Sequence, residues 1–110
     1  MTSPERIKVD IPDFPGYQVD KGGTVYGKRG KPLKPRTFRD GYSYVNLWRS
    51  SKVFSRAVHR LVLISFVGPC PDNYETRHLN SNPQDNRLAN LAWGSKKENF
   101  IDQVANGNSH

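Results

Sequence analysis

The stretch from Glu75 to Asn99 reads ETRHLNSNPQDNRLANLAWGSKKEN, and its succession of residue types sets the architecture. Glu75 to Leu79 suits a short strand. Asn80 to Ala89 is rich in Asn, Asp, Ser and Pro, whose side chains bond to nearby backbone and hold loops in place. Leu91 to Trp93 gives a second strand. Ser95-Lys96-Lys97-Glu98 has the form of a capping box, with Ser95 as N-cap and Glu98 three residues later, so a helix is predicted to begin there with Asn99 in its first turn. The order is strand, loop, strand, helix.

Working upstream, Ala57 to Val67 (AVHRLVLISFV) is apolar nearly all round and is stopped by Gly68-Pro69. It reads as a short buried helix, with a core strand as the rival. His59, at its start, reads as a capping or hydrogen-bonded structural histidine rather than a metal ligand. From Tyr42 to Trp48, Val45 and Leu47 alternate with Tyr44, Asn46 and Trp48, the period of a strand with one buried face. Arg49-Ser50-Ser51-Lys52 turns the chain, and Val53 to Ala57 returns as partner strand. That pairing is expected to set Lys52 and Arg56 beside the aromatic side chains in one basic sheet. Before it, Tyr17–Val19 and Thr24–Tyr26 flank Asp20-Lys21-Gly22-Gly23 as a small hairpin, and Lys31-Pro32-Leu33-Lys34-Pro35 is extended, as an edge strand would be.

Composition narrows the function. The chain has 110 residues, 35% hydrophobic and 25% charged, enough for one compact domain or two small modules sharing a core. No apolar run approaches the roughly 18 residues a membrane span needs, and the N-terminus lacks the layout of a signal peptide, so residence in the cytoplasm is expected. Cys70 stands alone between Pro69 and Pro71, which excludes an internal disulfide and a four-thiolate zinc site. Seventeen Lys and Arg against ten Asp and Glu give a net charge of +7, with a pI near 9.8. Lys28, Arg29, Lys31, Lys34, Arg36, Arg39, Arg49, Lys52, Arg56 and Arg60 face a single acid, Asp40, a local net of +9. Charge so concentrated, interleaved with Tyr42, Tyr44, Trp48 and Phe54, points to a polyanion and to nucleic acid in particular.

On His78, Asn82-Pro83, Asp85-Asn86-Arg87-Leu88, Asn90-Leu91-Ala92-Trp93 and Glu98-Asn99, the chain resembles the HNH endonucleases with the ββα-metal fold, especially those of phage and intron homing type. Upstream, Ile11-Pro12-Asp13-Phe14-Pro15-Gly16-Tyr17, Lys31 to Pro35 and Val58-His59-Arg60-Leu61-Val62 resemble the small DNA-binding module that often precedes that nuclease. The likeness spans about residues 10 to 105. It implies an α+β fold: short antiparallel N-terminal strands and a buried helix, followed by a C-terminal ββα-metal motif. The expected division is a basic β-rich DNA-binding module over residues 10–57 and the nuclease motif with its preceding helix over 58–107.

The resemblance also implies roles. His78 would be the general base that takes a proton from the water attacking a phosphodiester, a task for which an imidazole's ordinary pKa of about 6.5 is suited. Asn90 would hydrogen-bond across the hairpin and hold the His78 ring, while Asn86 would brace the loop. Asn99 would offer its amide oxygen to one divalent cation per site, Mg²⁺ or Mn²⁺. Arg87, Lys96 and Lys97 would contact phosphates, together with Lys28, Arg29, Lys31, Lys34, Arg36, Arg39, Arg49, Lys52 and Arg56 of the upstream module. One position departs from the pattern. Many members carry Asp or His immediately before the general base and use it to ligate the metal; here that residue is Arg77, which cannot, and which is expected to contact the scissile phosphate instead.

The reading is therefore a DNA endonuclease acting on double-stranded DNA as a monomer or homodimer. It is expected to nick with low sequence specificity, because the chain ends too soon for the downstream recognition modules of related homing enzymes. The competing reading is a non-catalytic or weakly active phage DNA-binding or regulatory protein, motivated by Arg77 and by the charge between Lys28 and Arg60. A basic RNA-associated protein is a third, without any RNA motif to support it.

Overall fold

The computed structural model describes residues 7–95. Ser50 and Ser51 both take positive φ (52° and 64°) between Arg49 and Lys52, which pair directly across the turn. Two such residues make the two-residue turn whose twist matches that of an antiparallel ribbon. On either side run β5 (Ser43–Arg49) and β6 (Lys52–Ala57), and β4 (Arg36–Thr37) lies on the other edge of β5. The alternation in β5 is realised as expected: Ser43, Val45 and Leu47 are buried, and Asn46 and Trp48 are exposed.

A second three-stranded antiparallel sheet precedes this one, built from β1 (Lys8–Asp10), β2 (Gln18–Asp20) and β3 (Val25–Tyr26). The hairpin from β2 to β3 matches the sequence reading, whereas β1 carries no such signal because it is a three-residue edge strand held by pairing with β2. Lys31 to Pro35 is extended beside β3, with Tyr26 bridged to Pro32 and the Leu33 amide donating to the Val25 carbonyl at 2.8 Å. The two sheets are tied by the Trp48 amide, which donates to the Tyr17 hydroxyl at 2.9 Å.

Val58–Phe66 forms α1, which decides the helix-or-strand ambiguity in favour of the helix. It has no side-chain cap at its start. Burial rather than capping holds it, since Val58, Leu61, Val62 and Leu63 are each at most 1% exposed. At its end the amides of Val67 and Gly68 both donate to the Leu63 carbonyl, Gly68 taking φ 134° before Pro69. Beyond it, β7 (Tyr74–His78) pairs antiparallel with β8 (Leu91–Ser95), and a short 3-10 turn, Leu88–Asn90, leads into β8. The helix predicted from the capping box lies outside the described residues.

One core serves all three sheets. Ile11, Phe14, Tyr17, Val19 and Val25 from the first, Val45 and Leu47 from the second, four residues of α1, and Leu91 of β8 form a single cluster. α1 touches β1, β2, β5, β6 and β8 and is the element around which the chain assembles. The architecture is α+β, as expected.

Candidate active site and nucleic-acid interface

His78 is the last residue of β7, opposite Leu91 of β8. Its carbonyl accepts the Ser81 amide at 3.0 Å, and the next residue, Leu79, donates to the Asn90 carbonyl at 2.8 Å, so the hairpin closes directly behind the ring. Adjacent residues of a strand project to opposite faces. His78 lies on the face that carries Leu91 towards the core. Arg77 lies on the other, its aliphatic stem directly over Gly94, where a Cβ would overlap it. The two side chains start from opposite sides of the ribbon.

The loop between β7 and β8 is held by its own side chains. Asn80 Oδ1 accepts from the Asn82 amide and from Asn90 Nδ2, and Asn82 Oδ1 accepts from the Gln84 amide. Asn90, buried, also accepts from the Asn80 amide and donates to the Asp85 carbonyl, each at 2.9 Å. Asp85 receives Arg87 through two guanidinium nitrogens, each at 2.8 Å, and this pairing holds its carboxyl well below the usual carboxylate range. Arg87 is exposed but tied to the loop.

Within this frame the His78 ring meets Asn86, with Nε2 and the Asn86 Oδ1 at 2.9 Å. An amide oxygen only accepts, so the bond places a proton on Nε2, and in the neutral ring the lone pair lies on Nδ1. Asn90 makes the expected hydrogen bonds across the hairpin, to Leu79 and Asn80, but the amide that reaches the His78 ring is that of Asn86. Both lie in one Asn-rich loop, and only the loop's path decides which amide reaches the ring.

Sequence reasoning also missed the companions of that ring. His59 stands edge-on to His78 with centroids 5.1 Å apart, and Tyr42 packs against both, at 4.9 Å from His59 and 5.6 Å from His78. The expectation that His59 caps α1 or is hydrogen-bonded is corrected here: the N-cap is Ala57, no side chain caps the helix, and the buried His59 Nδ1 finds no partner among the described residues. Burial foremost, then the neighbouring His78 and Arg60, pulls the His59 pKa from 6.5 down to about 4, so the imidazole is neutral near pH 7. Nothing local in the sequence links residues 42, 59 and 78; the helix start and two strand ends bring them together. Nearby, Asp40 accepts from the Tyr42 amide and the Tyr44 hydroxyl, which lowers its pKa and raises that of Tyr44.

Among the described residues, no three His, Cys, Asp or Glu side chains stand together as a metal site. Asn99, Lys96 and Lys97 lie outside them.

The basic sheet differs from expectation in its facing. Register pairs Val45 with Arg56, Leu47 with Phe54 and Arg49 with Lys52, so these arginines share the side of the buried residues. The Arg49 and Arg56 guanidiniums pack on the rings of Phe14 and Phe54 at 4.7–5.6 Å, and Arg49 donates to the Asp13 carbonyl. The opposite face bears Arg36, Tyr44, Asn46, Trp48, Val53 and Ser55, with Phe38 stacked on Tyr44 at 4.7 Å and Trp48 52% exposed. Lys28, Arg29, Lys31, Lys34, Arg36, Arg39 and Lys52 are exposed around these sheets.

A histidine at the end of a hairpin strand, held by an Asn-rich loop, with the partner strand packed on the preceding helix, defines a class. Residues 56–100 match the family model described as HNH endonuclease. The chain is 36% identical over 100 residues to the DNA endonuclease I-HmuI of Bacillus phage SP01, covering 89% of this chain and 58% of that protein. An uncharacterized HNH endonuclease of Acanthamoeba polyphaga mimivirus is 34% identical over 90 residues, covering 80% of this chain and 27% of its own length. A solved structure described as DNA binding and cleavage by the HNH homing endonuclease I-HmuI superposes with a TM-score of 0.86 at 33% identity, over 94% of this chain and 61% of that one. The chain thus spans less than two thirds of the relatives it matches. Among the described residues no helix is long and apolar enough to cross a membrane.

Proposed function

We propose that the chain is a divalent-metal-dependent endonuclease that hydrolyses phosphodiesters of double-stranded DNA, with His78 as general base. The observation that carries this reading is the Asn86–His78 hydrogen bond at 2.9 Å, which fixes the ring and the nitrogen that is free to take a proton. A water placed against Nδ1 gives up its proton to His78 as its oxygen attacks phosphorus. The fold cements the ring on its remaining sides with Tyr42 and His59, and the latter, being neutral, does not repel a second proton nearby.

A divalent ion, when bound, would supply charge stabilisation to the reaction. The described residues do not by themselves form its site. Asn99 would hold Mg²⁺ or Mn²⁺, ions that accept few protein ligands. DNA is held by the exposed lysines and arginines of the N-terminal sheets, residues 10–57, beside the nuclease motif of 58–107. Homology to a phage DNA endonuclease supports this partner. One site attacks one strand, so a monomer nicks.

Supercoiled plasmid with Mg²⁺ or Mn²⁺ tests the reading: the wild type relaxes it and His78→Ala does not. Equal cutting by His78→Ala removes His78 from the role of base. The second reading, a DNA-binding protein without cleavage, is favoured by Arg77 at the position of an acid. It predicts salt-sensitive DNA binding and no metal-dependent nicking by the wild type.

A further inference from the structure

The hairpin turn between β2 and β3 lies against the loop that holds His78, though the two are far apart in sequence. The Leu88 amide donates to the Lys21 carbonyl at 2.8 Å. Gly23, at φ +90°, sits so close to Asn86 that a Cβ built on it would be 2.7 Å from the Asn86 carbonyl oxygen and 3.1 Å from the Asn86 Cβ. The turn is itself fixed from behind. Asp20, 3% exposed, accepts from the Thr24 amide at 2.9 Å and the Tyr26 hydroxyl at 2.6 Å, and its carbonyl accepts from the Gly23 amide at 3.1 Å. Val19, the preceding residue, is fully buried in the core.

We infer that this turn belongs to the catalytic apparatus, with Gly23 a positioning residue that seats Asn86 and, through Asn86, orients the His78 ring. The inference rests on His78 being the base. Its physical content is a stack in continuous contact: core, Val19, Asp20, the Lys21–Gly23 backbone, the Asn86–Leu88 backbone, and the imidazole. The missing side chain at Gly23 is what lets the two backbones meet, and the Lys21–Leu88 bond fixes how they slide past one another. The hydrogen bond that selects the free nitrogen of His78 ends on the residue Gly23 touches. A displacement there misaims the base without removing any group that meets DNA.

The test compares Gly23→Ala with Gly30→Ala. Gly30 also has positive φ (+78°), but a Cβ there meets nothing within 4 Å, so it reads backbone strain alone. Plasmid nicking at saturating DNA and nitrogen-detected NMR of the histidine rings are the two readouts. Gly23→Ala is expected to lower kcat on the order of tenfold to a hundredfold relative to Gly30→Ala with KM little changed, the scale of a misplaced reacting group. It is also expected to lose the Nε2-protonated signature of His78, which needs no metal or DNA to observe. Asp20→Asn, which keeps side-chain size but replaces one acceptor oxygen with a donor, loosens the same turn and should shift both readouts less, in the same direction. It carries the test if Gly23→Ala does not fold. Wild-type-like kcat and His78 signature in the folded variants overturn the inference while His78→Ala remains dead. Cutting by His78→Ala overturns the underlying reading instead.

Discussion

The β5–β6 ribbon and the β7–β8 hairpin are both antiparallel pairs packed on α1, yet their turns differ completely. The first reverses through two serines at positive φ, with one short exposed turn and no side-chain bracing. The second runs from Leu79 to Asn90 between its strands, through a loop whose Asn and Asp side chains are bonded to one another and to its backbone. A turn that only joins strands needs a compatible twist. A loop that aims a side chain needs every amide spoken for, because a group a fraction of an ångström adrift loses its aim.

Three tests sharpen the contrast, in descending order of expected effect. Asn86→Ala and Asn90→Ala should part company: the first lowers nicking by about tenfold to a hundredfold, within the span of general-base contributions, with little change in urea midpoint. Asn90→Ala removes three hydrogen bonds made by a buried side chain, to the Asn80 amide, Asn80 Oδ1 and the Asp85 carbonyl, and should cost about 2–3 kcal/mol in urea unfolding. Should both variants lose stability equally and activity equally, the division of labour between them is wrong.

The next concerns pH. The His59 pKa is lowered in the folded chain, so the unfolded chain binds the extra proton first. Stability from its neutral burial is therefore full above about 6.5 and is lost as pH falls towards 4, by roughly 1–3 kcal/mol. His59→Phe should flatten that acid limb in thermal unfolding scans between these pH values, and an unchanged limb would place the sensitivity elsewhere. The smallest change is at the plain turn. Ser50→Asn with Ser51→Gly supplies residues that favour positive φ and should raise stability by about 1 kcal/mol with nicking unaltered, since nothing in that turn aims a catalytic group.

The same contrast separates what was legible in the sequence from what was not. Strand period, the apolar run of Val58–Phe66, and the Asn-rich loop are local signals, and each appears as an element close to its expected bounds. Contacts set by register and loop path are not local. Arg56 lies beside Phe54 as expected but not beside Tyr44 and Trp48, because counting back from the Ser50-Ser51 turn pairs it with Val45 on the inner face. That information was present in the turn and needed only the register to be followed. Which asparagine reaches His78 was not available in the same way, because Asn86 and Asn90 are equivalent in type and only the folded loop distinguishes them. His59 was hidden more deeply, since its proximity to His78 depends on where α1 begins against two other elements.

α1 has a consequence for transplanting this chemistry. The segment that carries the family signature, residues 56–100, includes the helix but none of the strands that contribute Val19, Val25, Val45 and Leu47 to its core. Excised as a cassette and fused to a foreign recognition domain, it would expose the apolar sides of Leu61, Val62 and Leu63 and would have no scaffold under its hairpin. A working graft has to begin upstream of β1, so that the portable unit of this fold is larger than its signature.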